Sequence, residues 1–226
     1  MLSRNLQEVI ARIEKARIAY SRHHIVKIVA ISKYHQVEEI RELYECGQRT
    51  FGENKVQDLK AKSEDLENLP LEWHFVGTLQ SNKINALLCS PVSLIHSIHS
   101  LSIALELEKR LEREKKTLKA LLQVNSANEQ SKSGFSPNEA LEKYIEILEK
   151  CPHLKLCGLM SIGAHSEQRS LVQKSFEITQ RLFEELKPKG AEILSMGMSG
   201  DFEQAIACGS NLVRIGSLLF QKGRFL

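Results

Sequence analysis

The feature that most constrains this chain is a regular alternation of short, unbroken apolar runs with longer stretches of helical periodicity. Residues 28–31, 49–51, 71–76, 92–98, 118–124, 154–160, 193–194 and 212–215 read as eight strands. Several carry no polar alternation, as expected of strands buried on both faces of a parallel sheet. Between them the apolar residues recur at helical spacing, as in Ile40, Leu43 and Tyr44, in residues 101–114, or in Phe176, Thr179, Leu182, Phe183 and Leu186. Ser136-Pro137 with Glu139 reads as a helix start, and Gly47 as a left-handed helix stop. Eight strands alternating with helices predict an α/β fold of the (β/α)8 TIM-barrel type rather than an open sheet. Leu2, Leu6, Val9, Ile10, Ile13 and Ala16 add an extra N-terminal amphipathic helix. At 226 residues the chain suits a single domain over 1–226.

Composition narrows the function. A net charge of +3, with Lys and Arg interleaved with Asp and Glu, leaves no nucleic-acid footprint. Cys46, Cys89, Cys151, Cys157 and Cys208 form no C-x-x-C pair, which argues against a disulfide framework and a zinc ribbon. The charged N-terminus lacks the core of a signal peptide, and no apolar run is long enough for a bilayer. The expectation is a cytoplasmic monomer with reduced thiols and no membrane partner.

The chemistry concentrates in residues 193–220. Two strand–loop units occur there in succession, the first through Ser195-Met196-Gly197-Met198-Ser199-Gly200-Asp201 into a helix, the second breaking at Gly216-Ser217. Loops of this kind offer backbone N–H groups and hydroxyls to an anion, and a phosphate is the natural guest. The glycines also suit plain turns. Arg214 lies between Val213 and Ile215, where a charge needs a partner. That partner is either a ligand or an acid supplied from elsewhere in the fold.

In a barrel all strand carboxyl ends meet on one face, with the phosphate site after strands seven and eight. Strand eight pairs with strand one, which brings Lys33 beside Ser199, Gly200, Gly216 and Ser217. Asn54, His74, Gln80, Ser81, Asn82, Lys83 and Met160 are expected at the same end. A strand-end lysine beside a phosphate cradle and an arginine has the parts of a pyridoxal phosphate site, the amine condensing with an aldehyde only when neutral. Arginine, with its high pKa, would leave the ring nitrogen unprotonated and the ring a weak electron sink. Taken alone, a single lysine at this place fits a solvated strand end better than a cofactor site. His74, His96 and His99 read as core or rim residues rather than metal ligands.

The segments AISKYH, FGENKVQD, WHFVGTLQSNK, NSANEQSKSGF, GLMSIG, LSMGMSGDFEQAI and GSNLVRIGSLLF, in this order and spacing, closely resemble the pyridoxal phosphate homeostasis protein family. The match runs over nearly the whole chain. It implies the barrel of alanine racemase and related decarboxylases, and pyridoxal 5′-phosphate held as an internal aldimine on Lys33. By matching position, Ser199, Gly200, Gly216 and Ser217 would bind the phosphate, Arg214 would face the pyridine nitrogen, and Asn54 and Met160 would line the cofactor. Tyr34-His35-Gln36 departs from the family, which commonly has a proline there, and Thr78 replaces a frequent proline or charge. Both bear on the entrance of the site.

The resemblance implies a non-catalytic carrier acting in intracellular cofactor homeostasis and supply, with cofactor-dependent apo-enzymes as possible recipients. The alternative is a small racemase or decarboxylase acting on an amino acid. Racemisation needs an acid or base on each face of the substrate carbanion, and Lys33 serves only one. The racemases take the second, a tyrosine, from a partner subunit through an added β domain, which is not expected here; Tyr34 alone of the tyrosines is expected near the site. A barrel for another phosphorylated metabolite is the remaining alternative.

Overall fold

A computed structural model describes residues 1–129 and 132–221. The last five positions of the expected 1–226 domain, and Gln130 and Ser131 of the NSANEQSKSGF segment, lie outside the described residues.

The helix α1 (Leu2–Tyr20) precedes β1 (Lys27–Ile31), α2 (Val37–Glu45), β2 (Thr50–Glu53), α3 (Val56–Asp65), β3 (Glu72–Phe75), α4 (Ile84–Leu88) and β4 (Val92–Ile98). The second half runs α5 (Leu101–Glu114), β5 (Leu118–Val124), α6 (Pro137–Lys150), β6 (Leu154–Ser161), α7 (Arg169–Leu186), β7 (Ile193–Ser195), α8 (Phe202–Ala207), β8 (Leu212–Ile215) and α9 (Ser217–Phe220). The strands close in sequence order into one parallel barrel, β8 returning to β1 through Lys27 opposite Leu212 and Ala30 opposite Ile215. The expected barrel is therefore present.

Local chemistry explains the boundaries. Gly47 takes φ +100° after α2, where Gln48 N–H donates to Leu43 O and Gly47 N–H to Tyr44 O. Those two bonds satisfy carbonyls that the helix end would otherwise orphan. Pro137 opens α6, and Ser136 N–H donates to Glu139 Oε1 at 3.1 Å. One element escaped the sequence pattern: after the break at Gly216, the chain turns into the four-residue helix α9. The buried Asn5 of α1 holds that turn, its Nδ2 donating to Leu219 O and Gln221 O.

Most apolar side chains fill the layer between strands and helices, while a second cluster inside the barrel holds Val29, Ile31, Leu94, Leu121, Met160 and Leu212. Gly52 faces the same interior, and a Cβ there would meet Ile31 Cδ1 at 2.8 Å. His74, His96, Ser195 and Arg214 add a buried polar set to that interior. No helix among the described residues is long and apolar enough to cross a membrane.

Candidate cofactor site

The carboxyl ends of β7, β8 and β1 form a continuous rim. At β7 the chain leaves through Gly197, with φ +90°, and enters α8 behind Asp201, whose Oδ1 accepts from Met198 N–H at 2.6 Å. At β8 it leaves through Gly216 into α9. The two loops touch: Leu218 N–H donates to Ser199 Oγ at 3.4 Å. The N–H groups of Ser199, Gly200, Gly216 and Ser217 make no bond to another backbone group among the described residues. Four neighbouring donors left in this state suit an anion.

Arg214 points into the barrel and is buried. Its Nη1 donates to Ser195 O at 2.8 Å and to Ser195 Oγ at 2.6 Å, and its Nη2 to Ser161 O at 2.9 Å. The ion pair that the sequence left open is absent among the described residues; carbonyls and one hydroxyl hold the guanidinium instead. Burial lowers its pKa to about 10, opposed by the charge of Asp201, so it stays protonated at neutral pH. Burial in turn raises the Asp201 carboxyl, against the Met198 N–H and the Arg214 charge.

Lys33 lies two residues past the end of β1 and is exposed, its Nζ 5.8 Å from the centre of the Tyr34 ring. Tyr34 takes φ +70° and is largely exposed, with Lys55 Nζ 5.9 Å from the same ring. The following His35 stacks on Phe220 of α9, ring centroids 4.0 Å apart and 14° between planes. The Tyr34-His35-Gln36 departure thus ties the Lys33 loop to the β8 loop.

Beneath Lys33 lies a cluster that the sequence did not single out. Glu53, fully buried at the end of β2, accepts from Ser32 Oγ at 2.7 Å and from Lys62 Nζ at 2.6 Å, and Lys62 also donates to Ser32 O. The pairing fixes the backbone that presents Lys33. Its only sequence signal was an acid at the end of a short strand. Asn54 follows Glu53, and its Oδ1 is a buried acceptor with no partner among the described residues. Met160 lies inside the barrel on β6, three strands round the rim from β1.

These residues fit a phosphorylated pyridine aldehyde. The donors at the two loops match a phosphate, the Arg214 guanidinium has N–H groups beyond its three bonds to offer a ring nitrogen, Asn54 Oδ1 has no donor among the described residues, and the Lys33 amine is exposed at the rim. Ser81 and Asn82 lie exposed in a single turn of 3-10 helix after β3, Ser81–Lys83, with Lys83 half-buried in it and Gln80 exposed just before it. His74 is corrected. Its ring lies inside the barrel, with Nε2 against Glu72 Oε1 at 3.1 Å and Nδ1 against His96 Nε2 at 3.0 Å. It faces the amino-terminal mouth because Glu72, the acid that binds it, starts β3. His96 is wholly buried and His99 half-buried, its Nδ1 against Ser97 O.

Comparison with known proteins places this site in context. The family described as alanine racemase, N-terminal domain, matches residues 4–222. A pyridoxal phosphate homeostasis protein of Helicobacter pylori is 60% identical over 217 residues, 96% of this chain and 97% of that one. The structure of PipY from Synechococcus elongatus with pyridoxal phosphate bound superposes with a TM-score of 0.83 at 30% identity, covering 97% of this chain and 100% of PipY. An alanine racemase of Clostridium difficile shares the fold at 16% identity, with a TM-score of 0.73 over 98% of this chain and 57% of its own.

Proposed function

Because this chain belongs to the alanine racemase N-terminal-domain family, and within it to the pyridoxal phosphate homeostasis proteins, we propose that it binds pyridoxal 5′-phosphate on the β1, β7 and β8 rim and acts in cofactor homeostasis. The observation that carries this reading is the set of four N–H donors at 199, 200, 216 and 217 that bond to no other backbone group among the described residues, on the loops that follow β7 and β8, with the buried Arg214 guanidinium on β8 itself. When bound, the cofactor supplies an electrophilic aldehyde and a conjugated ring.

This chain's own residues have separate tasks. Lys33 offers the amine that joins the aldehyde, and the Glu53–Lys62–Ser32 cluster holds the backbone under it. Ser199, Gly200, Gly216 and Ser217 bind the phosphate through fixed donors, which need no reorganisation on binding. Arg214 donates toward the ring nitrogen and, charged at neutral pH, gives it no proton. Asn54 and Met160 line the ring.

A weakly polarised ring and an exposed lysine suit storage and delivery better than turnover. Among the described residues, Tyr144 is buried in α6, Tyr44 packs under Arg49 and Tyr20 lies on α1, so only Tyr34 stands beside Lys33. Delivery to cofactor-dependent apo-enzymes in the cytoplasm, by a monomer, is the reading we adopt. The test is to mix loaded protein with a cofactor-free aminotransferase and, separately, with amino acids. Reactivation without racemisation or decarboxylation is expected. Turnover of an amino acid at rates typical of enzymes, about 1 per second or more, would replace the carrier with the enzyme.

A further inference from the structure

The barrel interior contains a line of polar groups that the cofactor site does not itself account for. From the amino-terminal mouth it runs Glu72 Oε1 to His74 Nε2 at 3.1 Å, His74 Nδ1 to His96 Nε2 at 3.0 Å, His96 Nδ1 to Ser195 Oγ at 3.1 Å, and Ser195 Oγ to Arg214 Nη1 at 2.6 Å. β3, β4, β7 and β8 each contribute to it. His74 and His96 are buried, so each polar atom on them needs its partner.

The two ends fix the direction. A guanidinium only donates and a carboxylate only accepts. Burial holds both imidazoles below their ordinary pKa, His96 far below, and His74 as its carboxylate partner pulls the other way. Hydrogen bonding to His74, with Lys27 adding to it, keeps the Glu72 carboxyl well below the usual range. With neutral rings and an ionised Glu72, one arrangement satisfies every bond. His74 carries its proton on Nε2 and donates to Glu72. His96 also carries its proton on Nε2 and donates to His74 Nδ1. Ser195 then donates to His96 Nδ1, which leaves its lone pairs for Arg214.

We propose that Glu72, His74, His96 and Ser195 form a hydrogen-bond chain of single polarity that positions the Arg214 guanidinium from below, making them positioning residues for the contact with the cofactor nitrogen. The proposal rests on the Arg214 role given above, and the chain itself is testable without cofactor. A proton added to His74 reverses the chain. His74 Nδ1 then donates to His96 Nε2, His96 Nδ1 donates to Ser195, and the Ser195 hydroxyl loses its acceptor next to Arg214. The charges facing this path are Lys27, paired with Glu72 at 2.5 Å, Lys119 and Lys155 at the same mouth, and Arg214 with Asp201 at the other end.

The experiment uses histidine- and arginine-labelled full-length protein, first stripped of cofactor. Long-range nitrogen–proton spectra at pH 7.5 should give His74 and His96 each a bare Nδ1 and a protonated Nε2, with assignments from His74→Gln and His96→Gln. The Arg214 Nη protons should exchange at least tenfold faster in His96→Leu and Ser195→Ala, and His96→Gln, which keeps one donor and one acceptor, should restore most of the protection. With pyridoxal phosphate added, His96→Leu should shift the pH midpoint of the visible band by about half a unit or more, roughly threefold in proton affinity. A protonated Nδ1 on either ring, or a folded His96→Leu protein with Arg214 exchange and band midpoint both unchanged, overturns the proposal. Absence of any band in the wild type counts against the cofactor reading alone, since the tautomers and the Arg214 exchange are read without it.

Discussion

Arg214 and Ser195 are joined twice, the guanidinium Nη1 donating both to the carbonyl oxygen and to the hydroxyl of the same serine. A third bond reaches Ser161 O. A buried cation held by neutral oxygens keeps its charge available to a ligand, whereas a salt bridge would have cancelled it.

Replacing that cation has two consequences. Arg214→Ala leaves the Ser195 and Ser161 carbonyls buried without their donors, at about 1–3 kcal/mol for each unpaired group. Urea unfolding should therefore show a loss of roughly 2–6 kcal/mol, and pyridoxal phosphate titration a weakening of tenfold or more. Unchanged affinity in a folded variant removes Arg214 from the ring-nitrogen contact.

The phosphate loop depends on one glycine. Gly197 has φ +90°, and a Cβ there would lie 2.7 Å from Ala205 Cβ and 2.8 Å from Phe202 Cα. Gly197→Ala combines backbone strain with a clash against α8, and the expected cost is roughly 1–3 kcal/mol. Calorimetry should read a midpoint lower by about 2–4 °C per kcal/mol for a chain of this size.

A negative charge placed among the anion donors should exclude phosphate. Ser217→Glu puts a carboxylate at the start of α9, beside the 199–200 loop. Binding of pyridoxal phosphate should fall tenfold or more while pyridoxal, which lacks the phosphate, is affected much less; equal losses for the two ligands would point away from a phosphate cradle at these residues.

Acid should destabilise the fold earlier than carboxylates alone would allow. The folded pKa values of His74 and His96 lie below 6.5, so above pH 6.5 both states are neutral and the histidines add no slope. Below it the unfolded chain binds protons that the native state refuses, and stability falls with falling pH, by up to about 1.4 kcal/mol per unit for each histidine. Glu72 adds a loss of the same sign once the pH drops below its ordinary 4.5. Urea midpoints between about pH 7.5 and 5 should decline in the wild type and flatten in His74→Gln/His96→Gln.

The sequence carried the barrel because each strand and helix is written locally. The bounds of β4, α5, β5 and β8 agree with the apolar runs and periodicity that marked them. The closure of β8 on β1, which brings Ile31 at the end of β1 against Gly216, followed from fold rules. Long-range pairings were illegible. His74 and His96 are 22 positions apart and meet only through the β3–β4 register, so nothing in their spacing announced a contact or turned His74 away from the rim. Glu53 and Lys62 meet because α3 folds back over β2. The partners of Arg214 are carbonyls, which every residue possesses. A four-residue helix such as α9 is too short for any periodicity to mark.

The central claim is that Lys33 carries the cofactor, and borohydride reduction followed by peptide mass mapping tests it most directly. Lys33 is exposed and packs little, so Lys33→Ala should fold with an unchanged thermal midpoint. The expected result is a visible band in the wild-type protein that reduction converts into a pyridoxyl group on the peptide containing Lys33, with both absent from Lys33→Ala. A reduced adduct on another lysine such as Lys83, persisting in Lys33→Ala, would contradict the assignment.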